Sequence, residues 1–400
     1  MLIGRKITVI GAGVAGLSVA RALALRGAEV SVLEQAEAIR EVGAGLQISP
    51  NGARVLRALG LGEAFEAAGP RAEAVELIDG ETGTERGGRV ARLELARLRP
   101  GNEYRFLHRA RLIELLAEGA RAAGVQIRLL QKVATVELGA HPPRLTTVQG
   151  QQIEADLLIG ADGLHSRLRQ ALNGSVAPFF THQVAWRATI PCDDAAPKVA
   201  QVFMGAGKHL VSYPLGGGLR NIVAVEERRR WVEESWSLRD DALTLRAAFE
   251  EFCPTVQGWL AQVEAPWLWG LFRHPVAEHW SGGLYGTGGA AILGDAAHPT
   301  LPFLAQGAVM ALEDAWVLAE ALASHDTAAA AFAAYQAARA PRCAAVVEAA
   351  NRNARNYHLS GMTRAVGHLG MRALSTFAPG KLIGRFDWIY GHDVTAGAGG

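Results

Sequence analysis

The chain has 400 residues, of which 50% are apolar and 20% charged, with 40 Lys plus Arg against 39 Asp plus Glu. At ~150 residues per domain this is room for two or three domains, and the core can be large without a disulfide or metal staple. A net charge of +1 supplies no field for holding nucleic acid or an anionic membrane, and so much apolar sequence excludes wholesale disorder. Cys192, Cys253 and Cys343 lie far apart. They form neither a disulfide framework nor a paired metal motif, so no metal is expected and a reducing, cytoplasmic compartment fits. No apolar run is long enough for a membrane helix, so no stable membrane insertion is expected. Arg5 and Lys6 before an apolar stretch imitate a secretory leader, but the motif that follows claims that stretch for a buried strand.

Residues 7–10 (ITVI) predict a short strand, 11–16 (GAGVAG) a turn, and the Ala/Leu-rich stretch to Leu25 a helix that Gly27 ends. VSVLE at 30–34 predicts a second strand, completing one βαβ unit. Such a turn alone is a weak signal; its context strengthens it. Gly11 permits the tight turn, Gly13 lets a pyrophosphate approach the backbone, and Gly16 lets helix and strand pack closely, with Ala15 in the same turn. The helix N-terminus favours phosphate charge. Glu34, 18 residues beyond Gly16, can accept hydrogen bonds from a ribose 2′-hydroxyl and would repel a 2′-phosphate. The nucleotide expected here is therefore FAD or NAD.

Further along, 51–59 predicts a helix with Asn51 as its N-cap, 107–124 a strong amphipathic helix, and 125–130 and 153–159 strands. The middle changes character. Segments 182–190, 199–204, 208–214 and 219–226 predict a meander of strands, and 240–262 a helix. AAILGDAAHP at 290–299 predicts a strand entering a loop. Residues 307–323 predict a helix buried on most sides, and 328–350 a helix interrupted near Pro341. The fold class is α/β, with α/β blocks flanking a β-rich block. A discontinuous Rossmann-like dinucleotide domain (1–70, 101–180 and 276–345) is expected beside a sheet-rich substrate domain (71–100 and 181–275) and a C-terminal helical segment (346–400).

In KHLVSYPL (208–215) a strand period of two puts His209, Val211 and Tyr213 on one face. An imidazole, an aliphatic contact and a phenol suit a flat aromatic substrate with an ionisable hydroxyl, although a packed or surface face reads equally. Arg187 on a neighbouring strand suits a substrate carboxylate or an ordinary salt bridge. Arg339, Arg342, Arg352, Arg355 and Arg364 read as helix-surface charge, and nucleic-acid binding is not expected.

EVGAGLQISPNG (41–52), HRARL (108–112), GADGLHSRLR (160–169) and GDAAHPTLPFLAQGAVMALEDA (294–315), together with the first βαβ unit, resemble the class A flavoprotein monooxygenases, and most closely their salicylate hydroxylase-like subgroup. The resemblance spans 7–315 and continues more weakly toward FDWIYGHDVT (386–395). It implies FAD, with NADH or NADPH as reductant and O2 as cosubstrate. The oxygen would reach an electron-rich ring through a flavin C4a-hydroperoxide. By position it implies that Asp162 and Gly163 serve the FAD and the nicotinamide, that Asp295 contacts the ribityl chain, and that Arg109 reaches the flavin side chain and phosphates. Gln47 would pass near the flavin, Val133 would offer a backbone contact to adenine, and Gln306–Gly307 would aim a helix dipole at the flavin N1–C2=O edge. The alternative readings are Asp162 as a turn cap and Arg109 as a surface partner of Glu114, whereas His298 reads as a structural histidine rather than an acid or base. Arg111, Ala305 and Val309 depart from the general family pattern, Ala305 in the manner of the subgroup. His209 is expected to take the phenol proton, directly or through Tyr213 or water. The alternatives are an FAD monooxygenase or oxidase of a heteroaromatic or polycyclic compound, and a non-catalytic flavin-binding protein. A monomer or homodimer is expected.

Overall fold

The structure, a computed structural model, describes residues 2–39, 45–82, 84–95, 103–229, 238–286 and 288–397. Residues 41–44 of the second resembling motif lie outside them. The opening apolar run forms the strand Lys6–Ile10 at the heart of a six-stranded sheet. Its order is Ser281–Tyr285, Gly288–Ile292, Leu157–Gly160, Lys6–Ile10, Glu29–Leu33 and Gln126–Arg128. All pairings are parallel except the edge hairpin at 281–292. Parallel strands need cover on both faces, and the fully buried runs Leu157–Gly160 and Gly288–Ile292 show that cover. Helices Val14–Ala24, Arg109–Ala122 and Gly307–Ser324 pack together in this layer.

A second sheet has seven strands, in the order Trp267–Arg273, Phe179–Pro191, Leu219–Glu227, Lys208–Gly216, Val199–Gly205, Ala74–Asp79 and Gly88–Glu94. One face carries Phe203, Leu210 and Ile222 onto helices Ala242–Ala248 and Pro254–Leu260, through Leu245, Phe249 and Val256. The register sets Met204, His209 and Val225 side by side, with Val202, Val211 and Val223 as the next row. Alternation turns these rows to the opposite face, where they line a cavity. The ribbon of Gly45–Ile48 and Arg105–His108 meets this sheet where the Gly45 N–H donates to Asn221 Oδ1 at 2.7 Å.

Several expected elements change. The helix expected from 107 starts at Arg109, because Leu107 and His108 pair with Leu46 and Gly45. The 153–159 strand divides between two sheets, as Gln152–Glu154 and Leu157–Gly160. The 240–262 helix divides, with Cys253 and Pro254 opening the second piece. Ser49, not Asn51, stands at the N-cap of Pro50–Ala58. Asn51 is buried and donates to Glu313 Oε1 at 2.7 Å and Gln306 Oε1 at 3.2 Å.

Pro341 does not interrupt its helix, which runs from Ala328 to Tyr357. An interior proline costs about 3 kcal/mol, and burial of Phe332, Tyr335, Cys343 and Val346 along the same helix offsets it. Arg339 is not surface charge. It is 1% exposed, 2.6 Å from Glu313 Oε2 and 2.7 Å from Asp314 Oδ1. The Glu313 contact is an ion pair without hydrogen-bond alignment. Arg342 joins Glu313 at 2.9 Å, and Arg364 pairs with Asp79 and Glu81, so only Arg352 and Arg355 stay exposed. Among the described residues no helix is long and apolar enough to cross a membrane.

Candidate active site

Gly11 turns with φ +98°, and a Cβ there would lie 2.5 Å from the Ala161 carbonyl oxygen. A Cβ on Gly16 would lie 1.9 Å from the Gly11 oxygen, so only glycine allows this approach. Gly13 differs: a Cβ on it would meet nothing within 4 Å. The helix it opens has no side-chain cap and no acid in its first turn, so its amide end is left for an anion. Glu34 braces the turn, accepting the Ala12 N–H at 2.8 Å and the Ala36 N–H at 2.9 Å. Val133 is buried just after a loop in which the Gln131 N–H donates to the Glu34 carbonyl at 2.8 Å.

A cavity of about 690 Å³ runs from Gly13 and Ala15 past Gln47, Arg109, Gly163, Asp295 and Gly307 to His209 and Tyr213. Pro302 and Phe303 lie on its wall, as do Arg187 and Trp269. The structure thus brings together residues from chain positions 13 to 307. Gly11, Gly16, Glu34, Val133, Asp162 and Gln306 stand outside this lining. Gln306 is buried and its amide donates to Ser49 Oγ at 3.0 Å, so its side chain holds the helix start and leaves Gly307 to the cavity. Arg111, not Arg109, pairs with Glu114, at 3.0 Å.

The electrostatics follow burial. Asp295 opens into the cavity and is accessible there, yet protein surrounds it. Desolvation raises its carboxyl above the ordinary range, against the pull of His298 and Arg109. Asp162 is also raised by desolvation. Its Oδ2 caps the following turn by accepting the Arg167 N–H at 2.8 Å, while its Oδ1 is buried without a partner. Burial, then His358, hold His209 well below the usual imidazole range. Burial raises Tyr213, with Arg187 and Gln47 opposing. Gln47 also accepts the Tyr104 hydroxyl at 2.8 Å. The Arg187 guanidinium lies 4.5 Å from the Trp269 ring centre. His298 is buried against Asp314, away from the cavity lining, as a structural histidine would be.

Sequence reasoning missed His358, which lies 2.7 Å from His209, and the cavity residues Tyr104, Trp269 and Tyr390. Tyr390 falls in the weaker resemblance at 386–395; His358 had no local signal. An open glycine at a helix start, an orphaned Asp162 oxygen and a long cleft ending among aromatic side chains fit a bound FAD.

Fold and site together define a flavoprotein hydroxylase of class A. The chain belongs to the FAD binding domain family, which matches residues 5–350. It is 34% identical to a 3-amino-4-hydroxybenzoate 2-monooxygenase from Streptomyces platensis, over 97% of this chain and 96% of that one. It is 32% identical to a 3-hydroxybenzoate 6-hydroxylase from Polaromonas naphthalenivorans, again over 97% and 96%. The Klebsiella pneumoniae HpxO structure with FAD and uric acid superposes with a TM-score of 0.81 at 27% identity, covering 96% of each chain. A salicylate hydroxylase substrate complex shares the fold with a TM-score of 0.80 at 23% identity, covering 98% and 97%.

Proposed function

We propose that this chain is an FAD monooxygenase that uses NADH or NADPH and O2 to hydroxylate a benzoate-like phenol in the cytoplasm. The observation that carries this reading is a buried imidazole and a buried phenol, His209 and Tyr213, on one face of a strand that walls a cavity beginning at the glycine turn. The relatives named for hydroxybenzoate oxygenation support it. Residues 1–70, 101–180 and 276–345 make the FAD unit, 71–100 and 181–275 the substrate unit, and 346–400 a closing helical segment.

Bound FAD supplies the redox chemistry, taking hydride from the nicotinamide and activating O2. Gly11, Gly13, Ala15 and Gly16 let the helix end take the pyrophosphate, Glu34 the ribose, and the Val133 backbone the adenine. Arg109, Gln47, Asp162, Gly163 and Asp295 hold the remaining length. Gln306 sets the helix start so that the Gly307 end of the dipole favours negative charge beside it. Arg187 takes the substrate carboxylate. Tyr213 orients the phenol, and His209 accepts its proton to make the ring the better nucleophile. Val202, Val211, Val223 and Phe303 exclude water. A phenol near ~10 and an imidazole below ~6.5 are mismatched by about 5 kcal/mol or more, so the proton does not rest on His209.

The test is a panel of hydroxybenzoates and N-heteroaromatic acids given to the purified protein with each nicotinamide. The expected result is a yellow protein whose NAD(P)H oxidation rises with a hydroxybenzoate and whose product is heavier by one oxygen atom. Flavin-free protein, or no oxygenated product from any phenol, overturns the reading.

A further inference from the structure

His209 is 1% exposed, yet a short polar path leads from it to solvent. Its Nδ1 lies 2.7 Å from His358 Nε2, and His358 Nδ1 lies 2.8 Å from Glu227 Oε1. The Glu227 side chain is 54% exposed at the end of the strand Leu219–Glu227. Two neighbouring strands, Lys208–Gly216 and Leu219–Glu227, and the remote residue His358 make this line, with separations of 149 and 131 residues at its two bonds.

The hydrogen positions follow from the chemistry of the groups. An ionised carboxylate only accepts, so His358 Nδ1 carries the hydrogen. His358 Nε2 is then the acceptor, and His209 Nδ1 must donate to it. That leaves Nε2 of His209 as the unprotonated nitrogen of a ring on the cavity wall. Gln183 Nε2 is 3.4 Å from the same His358 Nδ1, and the shorter bond to the charged group decides the tautomer. Phe303 and Tyr357 pack on the His209 ring. The Tyr357 hydroxyl is engaged by Asn353 at 3.0 Å, and burial pushes that phenol up to about 12. The Lys208 ammonium turns to the Ala248 carbonyl at 2.7 Å. Among the described residues, the titratable groups facing the line are Tyr357 at His209 and Glu227 at His358. Desolvation lowers both imidazoles, with Glu227 opposing at His358.

We propose that His358 and Glu227 form a proton conduit between the substrate cavity and solvent, with His209 as its inner end. This rests on the reading of the cavity as a phenol site. On binding, the substrate O–H bond breaks and its proton goes to His209 Nε2. The Nδ1 proton of His209 passes to His358 Nε2, the Nδ1 proton of His358 passes to the Glu227 carboxylate, and Glu227 releases it to water. Both rings end neutral in the opposite tautomer. A proton returning along the same line to the product phenolate restores the starting tautomers. No electrons move, and the net change on substrate binding is a bound phenolate and a proton in solvent. His358 and Glu227 are positioning residues, acting through His209.

The test mixes the FAD-loaded protein with 3-hydroxybenzoate in weak buffer containing a pH indicator. Proton release and the absorbance of the bound phenolate are followed together in a stopped-flow instrument. The wild-type protein is expected to release a proton as the phenolate forms. Glu227→Gln and His358→Gln should each slow that release by roughly tenfold or more without changing FAD content or ligand affinity, while Glu227→Asp should retain it. Glu227→Gln, at an exposed strand end, keeps the test open should His358→Gln fold poorly. Hydroxylation without proton release, or both Gln variants releasing protons at the wild-type rate, overturns the conduit and leaves the proposed function standing. No oxygenated product from any phenol overturns both.

Discussion

Two buried histidines in this protein live in opposite electrostatic states. His298 touches Asp314 inside a closed knot of Glu313, Asp314, Arg339 and Arg342, where helix Gly307–Ser324 meets helix Ala328–Tyr357. Burial alone would lower His298, but Asp314 outweighs it and holds the ring well above its usual range. His209 is as deeply buried, but the nearest titratable group is another imidazole, so burial prevails and it stays neutral. Burial thus does not set protonation by itself; the partner does. A closed knot in which each charge touches an opposite one holds helices together, whereas a line with one end in a cavity and the other in water can move a proton.

The comparison breaks most visibly at the knot. Asp314→Asn should cost about 3–5 kcal/mol in urea or thermal unfolding, because Arg339 and His298 lose a buried counter-charge. The same loss from an equivalent change at His209 would erase the distinction. Next in size, His209→Gln should cut product formation by about 10²-fold with little change in melting temperature; a kinetic and a thermal measurement on one preparation separate the two effects. Third is the acid limb. Burial raises Asp314, but His298 and Arg339 outweigh it and hold its carboxyl at about 2 against an ordinary 3.8. A depressed carboxyl contributes stability above its unfolded value and loses it as pH falls through the folded one. About 2 kcal/mol should therefore disappear between pH ~4 and ~2, and Asp314→Asn should flatten that limb. His209 works in another window: the unfolded ring takes a proton the cavity refuses, so its contribution falls as pH drops below ~6.5. Fourth, Arg187→Met should weaken a carboxylated phenol about tenfold relative to the same phenol without its carboxylate, measured by ligand titration. Smallest, Arg111→Ala should change stability by no more than about 0.5 kcal/mol, since its pair with Glu114 is exposed.

What could be read in advance was what is local. The strand, glycine turn, helix and second strand over the first 34 residues need only neighbouring side chains, and strand alternation alone placed His209, Val211 and Tyr213 on one face. Remote partners were hidden. Pairing with 45–48 took Leu107 and His108 away from a helix their neighbours favour. Arg339 reads as surface charge until Glu313 and Asp314 meet it; the clue was two adjacent acids inside the apolar stretch of a helix, which cannot be buried without cations. His358 is joined to His209 only by the fold.

The C-terminal helices lean on the edge strand Gly88–Glu94 through Leu382 and Ile383 and carry Phe386 and Tyr390 to the cavity wall. Neither large sheet borrows a strand from them. Cutting the chain after residue 358 should therefore yield a protein that still folds and still turns yellow, but whose chamber is unroofed. Such a truncate is expected to admit water and squander reductant on oxygen, giving peroxide in place of product; the tail would then govern thrift in the reaction more than the shape of the molecule.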